Sequence, residues 1–289
     1  MGPAGSLEAP GALMRLIIAA EREQEALPGE PYDRWILPGG EVKAEFRRRG
    51  TDYHLRFVGD ADFEIRLAAG EAIAWPATGA DDETCRTLFA NAVLPVVGNH
   101  TGGLFLHGSA IAIGASAAAF LGPSRSGKTT LAGALAKSGY KLLTEDAVEI
   151  ERCGSGYDVQ PHPAPLRLFA DSAQHLLSVS SDSDEKRPFG DPDNFPFADA
   201  PVPLGAIFVL GADHSAPLTV RRLPAAEALP ALLPHAFILD VEDRERVRGH
   251  FGRMADLSAE IPVHVIDYPR DFTALPAVCE AILKACEKE

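Results

Sequence analysis

Between Phe120 and Ile150 the chain reads FLGPSRSGKTTLAGALAKSGYKLLTEDAVEI. Within it, Gly122 to Thr129 match G-x-x-x-x-G-K-[ST] at every specified position, a match that chance gives in roughly one chain in a hundred of this length. The chemistry of the pattern is phosphate binding. Backbone N–H groups must converge on phosphate oxygens, so glycine is needed where φ is unusual and where the loop approaches closely. A helix N-terminus behind the loop adds partial positive charge. Gly122, Pro123, Ser124, Arg125, Ser126, Gly127, Lys128, Thr129 and Thr130 are therefore read as the nucleotide site. Lys128 would reach the β- and γ-phosphates and the Thr129 hydroxyl would sit on Mg²⁺, making ATP and Mg²⁺ the expected donor and metal.

A second acidic feature follows one helix later, the pair Glu145-Asp146 at the end of an apolar run. A switch or simple NTPase needs one carboxylate here for Mg²⁺. Two in succession allow a division of labour, one for the metal and one for activating an acceptor hydroxyl. Two adjacent carboxylates are equally compatible with a solvated strand end, and spacing alone leaves both readings standing. The N/T-K-x-D signature of guanine specificity is absent from the sequence, which argues against a GTPase switch.

Elements must hold these residues in place. An apolar strand precedes the loop, and a helix over 129–138, stopped by Gly139, follows it. GLFLHGSAIAI and ASAAAFLG read as two strands around Gly114, and KLLTEDAVEIER with YDVQP as a hairpin around CGSG. Upstream, 33–76 carries four period-2 runs separated by Gly and Asp turns. DDETCRTLFANAVLPVVGNH reads as a helix capped by Asp81 or Asp82, with Pro95 bending it or marking its last turn. The stretch 180–203 is rich in Asp, Pro and Ser, the composition of a functional lid or loop. Beyond it the pattern gives strands at LGAIFVLG, LTVRRL and VHVIDY, with helices over 225–233, 242–257 and 274–288. The expected organisation is a lead-in over 1–30, a β-rich domain over 31–100 ending in a helix, and a catalytic domain over 101–289.

The 289 residues are 46% hydrophobic and 24% charged, the composition of a globular chain with an ample core. Lys plus Arg number 27 against 41 Asp plus Glu, a net charge of −14. So acidic a chain, with no basic tract, is not expected to bind nucleic acid. No run approaches the roughly 20 apolar residues that span a bilayer, so no membrane partner is expected, and the expected location is cytoplasmic. Cys85, Cys153, Cys279 and Cys286 lack metal-ligand spacing and read as reduced thiols.

Taken together, LHGSAIAI, FLGPSRSGKTTLAGAL and GYKLLTEDAVEI resemble the catalytic domain of HPr kinase/phosphorylase, most clearly over 104–150. PAPLRLFADS and PVPLGAIFVL bring the pattern nearer to smaller HPr-kinase-like proteins, some of which phosphorylate a serine of lasso-peptide precursors. The resemblance implies an α/β fold with a phosphate loop in a mixed sheet, related to phosphoenolpyruvate carboxykinase. It implies His107 beside the acceptor, Glu145 as catalytic base, and Asp146 as the metal-associated carboxylate. It also brings a homo-oligomer and a reverse, phosphorylase-type reaction into view. The first member of the acidic pair is Glu where the family has Asp. Arg125 stands where the family commonly has Gly and is read as touching the γ-phosphate or pointing to solvent. The Arg/Gly segment that HPr kinases carry after the acidic pair has no counterpart here, which favours another peptide or protein over HPr.

Arg167, between apolar residues, is a candidate for a phosphate or acceptor carboxylate, or for a structural ion pair. Lys186 and Arg187 are candidates to close over a triphosphate, or a solvated pair. The function expected is γ-phosphoryl transfer to a Ser/Thr hydroxyl of a peptide or protein. The alternatives are a kinase of free serine-like small molecules and a non-catalytic ATP-binding module.

Overall fold

The computed structural model describes residues 14–37, 39–179, 187–189 and 195–287. Lys186, a candidate from sequence, lies outside the described residues. The chain divides into two units, one running to His100 and including Ile238–Val247, the other taking Thr101–Phe237 and Arg248 onward.

In the first unit, alternating apolar residues build a sheet. Its strands are β1 (Arg15–Ile18), β2 (Asp33–Ile36), β3 (Val42–Arg49), β4 (Asp52–Phe57), β5 (Ala61–Arg66) and β6 (Glu71–Pro76), in the order β1-β6-β5-β4-β3-β2. All neighbours are antiparallel except β1 and β6. Strand β1 falls within the stretch read as a lead-in. Ala44, Phe46, Leu55, Phe57, Phe63 and Ile65 are fully or almost fully buried. Residues 238–247 join this unit through Asp240, which accepts from Arg48 Nε (2.6 Å) and the Tyr53 hydroxyl (3.0 Å).

The helix expected over 81–100 forms with an interruption. Asp81 caps α1 (Asp82–Leu88) by accepting from Thr84 N at 2.8 Å. A π-helical turn over Phe89–Val93 leads into α2 (Leu94–Thr101), and Leu94 N bonds Phe89 O, five residues back. Pro95 has no N–H to give, and the widened turn just ahead of it lets the helix continue through the proline instead of ending there.

The second unit centres on an eight-stranded mixed sheet. It comprises β7 (Phe105–Ile113), β8 (Ser116–Leu121), β9 (Lys141–Thr144), β10 (Ala147–Cys153), β11 (Gly156–Val159), β14 (Val202–Leu210), β15 (Thr219–Arg222) and β16 (Val263–Asp267). The order is β11-β10-β7-β8-β14-β16-β15, with β9 on β7 beside β10. Strands β8, β14 and β16 are mutually parallel. A separate pair, β12 (Leu166–Leu168) and β13 (Arg187–Phe189), is antiparallel. The helices are α3 (Lys128–Lys137), α4 (Ala170–Leu177), α5 (Ala225–Leu232), α6 (Arg244–Glu260, of which this unit takes Arg248 onward) and α7 (Leu275–Cys286).

Both faces of the large sheet are apolar, as expected of strands that read as continuous hydrophobic runs. Ala118 and Phe120 of β8 pack with residues of α3, α4 and α7, such as Leu131, Ala173 and Val278. Their neighbours Ala119 and Leu121 pack with residues of α5 and α6, such as Leu232 and Leu257. At roughly 25 cal/mol per Å² of buried apolar area, this two-sided burial is the main force holding the strand ends in register. No helix among the described residues is long and apolar enough to cross a membrane.

One expectation needs correction. KLLTEDAVEIER is not a single strand: it breaks at Glu145-Asp146 into β9 and β10, both paired with β7. Ala147 N bonds Glu145 O at 2.9 Å around Asp146, whose φ is 67°. This is a three-residue turn of the rare kind with a positive central φ. Thr144 Oγ1 spans it by donating to Ala147 O at 2.7 Å.

Candidate active site

The parallel strands β8, β14 and β16 all end on one side of the sheet, and the chain that leaves each of them lines one cavity of about 730 Å³. Ser124, Arg125 and Gly127–Thr130 follow β8, His214 follows β14, and Tyr268, Arg270–Phe272 and Leu275 follow β16. The carboxyl ends of parallel strands are where open α/β sheets take ligands, and the volume is that of a small-molecule pocket.

The loop from Gly122 to Gly127 joins β8 to α3. A Cβ on Gly122 would meet Ser126 Oγ at 2.6 Å and Leu210 Cβ at 3.2 Å, so a side chain there would displace the Ser126 hydroxyl. Gly127 sits at φ 97° as the residue before α3, and its carbonyl accepts from Leu131 N at 2.9 Å. The ammonium of Lys128, which is buried, donates to the carbonyls of Gly122 (2.8 Å) and Pro123 (2.9 Å). The Thr130 hydroxyl pairs with Ser172 Oγ of α4 at 2.9 Å. The Ser126 hydroxyl is buried with no hydrogen-bond partner among the described residues.

The two acidic residues face different surroundings. Glu145 is buried; its Oε1 accepts from Thr129 Oγ1 at 3.0 Å and its Oε2 from Arg167 N at 2.8 Å. Asp146, turned by its positive φ, lines the cavity. His107 on β7 pairs in register with Ala147, and its Nδ1 donates to Asp146 O at 3.1 Å. A carbonyl only accepts, so Nδ1 carries a proton. The buried His235 has its pKa lowered to about 4 by burial, then by the charges of His107 and Lys128.

Of the residues singled out from sequence, His107, Ser124, Arg125, Gly127, Lys128, Thr129, Thr130, Asp146 and Arg167 line this cavity. Gly122, Pro123, Ser126 and Glu145 stand behind them, joined to the lining by the loop and by the bonds to Lys128 and Thr129. Arg187 is exposed on β13 and is not among the cavity-lining residues. Arg167 makes no ion pair among the described residues; its amide is what binds Glu145.

Phe169, Tyr268, Arg270 and Phe272 also line the cavity and carry no motif in the sequence, and His214, which reads from sequence as part of a turn between strands, lines it too. The Arg270 guanidinium lies 3.8 Å over the Tyr268 ring and donates to Tyr268 O (3.0 Å) and Gly211 O (2.9 Å). Phe272 stacks on His175 with ring centroids 4.5 Å apart. The signal was the Tyr-Pro-Arg-Asp-Phe run directly after a strand, which only a parallel pairing brings opposite the loop. Four cations (Arg125, Lys128, Arg167, Arg270) and three carboxylates (Asp146, Asp171, Asp271) line the cavity. Glu145, behind Thr129, adds a fourth carboxylate, so cationic and acidic side chains balance in this site inside a chain of net charge −14.

No family model and no curated protein matches this chain in sequence. Among solved structures, the HPr(Ser) kinase/phosphatase from Coxiella burnetii matches over 64% of this chain and 97% of its own, at 12% identity and a TM-score of 0.38. A likeness at that level carries no functional weight.

Proposed function

We propose that this chain is an ATP- and Mg²⁺-dependent kinase that transfers a phosphoryl group to a serine or threonine hydroxyl of a peptide or protein. The observation that carries the reading is the pairing of a phosphate-type loop with two carboxylates of unlike surroundings, Glu145 on the Thr129 hydroxyl and Asp146 in the cavity. The sequence resemblance to HPr-kinase-like proteins supports the same class and favours a ribosomal peptide precursor as acceptor.

The residues fit a nucleotide and a metal. The glycine cradle, the Ser126 hydroxyl without a partner among the described residues, and the cations Lys128, Arg125 and Arg270 suit phosphate oxygens. Among the described residues no three His, Cys, Asp or Glu side chains converge. Thr129 and Glu145 would hold Mg²⁺ together with phosphate oxygens and water, the usual manner for this ion. When bound, Mg²⁺ neutralises charge on the β- and γ-phosphates.

This allocation reverses the one read from sequence. Glu145 is tied to Thr129 and to the Arg167 amide, which suits a metal-side group held still. Asp146 faces the cavity beside His107, which suits the base. Asp146 takes the acceptor hydroxyl's proton as that oxygen bonds to phosphorus and the bridging P–O bond breaks, its electron pair leaving with ADP. His107, its proton committed to the Asp146 carbonyl, positions the turn that carries the base. Lys128 exchanges its two carbonyls for phosphate oxygens.

The test is incubation of the purified chain with γ-labelled ATP, Mg²⁺, and either Ser/Thr peptides or a lysate. Label on serine or threonine of a macromolecule, lost in Lys128→Ala, is the expected result. Label on a free small molecule overturns the acceptor class. Binding of ATP with no transfer to any acceptor overturns the enzyme.

A further inference from the structure

We propose that Arg125 supplies, from within the phosphate loop itself, a guanidinium to the phosphoryl group being transferred, its arm moving between Phe169 and the γ-phosphate. The inference rests on the kinase reading and deepens it.

Arg125 sits at φ 64° in the loop. Glycine occupies that conformation without strain, whereas an L side chain with a Cβ does not. Three non-glycine residues among those described have positive φ: Arg125, Asp146 and Ser178. Ser178 closes the end of α4, a common place for such a conformation. The other two line the same cavity, one from the loop and one from the β9–β10 turn. Strain kept at two points of one site, where a glycine would remove it, points to side chains that are needed there.

Little else employs the Arg125 side chain. Among the described residues no carboxylate pairs with it, and its guanidinium carbon lies 5.1 Å from the centroid of the Phe169 ring. Arg125 is exposed over the half-buried Phe169 ring, and a cation–π contact of an exposed cation is weak, so the arm is released at little loss. The stretch of loop just before it already faces the phosphate end, because the Lys128 ammonium rests on the carbonyls of Gly122 and Pro123.

The chemistry distinguishes Arg125 from Lys128. Lysine is a point charge, whereas a guanidinium presents paired N–H groups to two oxygens at once. In phosphoryl transfer the equatorial oxygens of the moving group carry the charge to be stabilised, and a nucleoside diphosphate lacks that group. Arg125 therefore discriminates ATP from ADP and speeds transfer, without being needed to hold the diphosphate part.

The test uses Arg125→Gly and Arg125→Lys in the full chain. Calorimetry measures binding of Mg²⁺-ADP and of a non-hydrolysable Mg²⁺-ATP analogue, and ADP release reports transfer to water. In Arg125→Gly, ADP affinity is expected to stay within about 2-fold, the preference for the ATP analogue to fall about 10-fold, and turnover to fall roughly 10²–10³-fold. Arg125→Lys is expected to recover only a minor part. Arg125→Gly is compatible with the backbone, and its thermal midpoint is expected at or above wild type. An unchanged analogue-to-ADP ratio and unchanged turnover in Arg125→Gly overturn the inference and leave the kinase reading standing. A wild-type chain that binds neither nucleotide overturns both.

Discussion

The Thr129 hydroxyl donates to Glu145 Oε1 across 3.0 Å, joining the first turn of α3 to the first residue of the β9–β10 turn. The bond fixes where the buried carboxylate sits and leaves the next residue, Asp146, to face the cavity. Adjacent in sequence, the two acids are chemically separated by one backbone turn.

Their separation gives opposite phenotypes. Glu145→Gln is expected to raise the Mg²⁺ concentration required for activity by about 10–100-fold, the usual loss when a metal-side carboxylate is altered. Asp146→Asn is expected to leave the Mg²⁺ requirement and nucleotide affinity nearly unchanged while lowering transfer by about 10²–10⁴-fold. Mg²⁺ titrations of both variants check this; a reversed pattern would restore Glu145 as the base.

Asp146→Gly separates stability from activity at one position. With φ at 67°, glycine relieves about 1 kcal/mol of backbone strain, a rise of roughly 2–4 °C in Tm. Transfer is expected to be lost in the same variant. Calorimetry beside an activity assay would show both, and an inactive variant that is also less stable would refute the account of strain.

Two buried histidines make the second unit sensitive to acid. Burial, followed by the charges of His107 and Lys128, lowers His235 to about 4; burial, followed by Arg253, lowers His250 to about 4. The unfolded chain protonates these groups near 6.5. Their contribution is therefore complete above about pH 6.5 and is lost as pH falls from there towards 4. Both ring nitrogens of His250 are buried without partners among the described residues, so His250→Phe is expected to flatten the loss. Each histidine is worth on the order of 1–3 kcal/mol at the acid end. Urea unfolding at pH 7.5, 5.5 and 4.5 measures the slope.

Much of this site is legible in the sequence. The loop pattern announces itself because phosphate cradling restricts residue type at fixed spacing. Strands β3–β6 follow from period-2 alternation, and Asp81 from its place ahead of an apolar stripe. Three things could not be read. No glycine or proline marks the break at Glu145-Asp146, since Asp146 takes a positive φ that local sequence does not reveal. The partner of Glu145 Oε2 is a backbone amide 22 residues away, invisible to any reading of side-chain types. Tyr268, Arg270 and Phe272 reach the cavity only because β16 lies parallel to β14 and β14 parallel to β8, a tertiary fact.

Strand β7 carries His107 while pairing with both β9 and β10, so it is the common ruler for the histidine and the acidic turn. The side-chain period of a strand is two. Adding or deleting one residue between Phe105 and His107 would turn the imidazole to the opposite face while the turn stayed where it was. Length in this short segment is therefore as restricted as residue identity in the loop. A library allowing insertions there should return inactive chains even when every named side chain is kept.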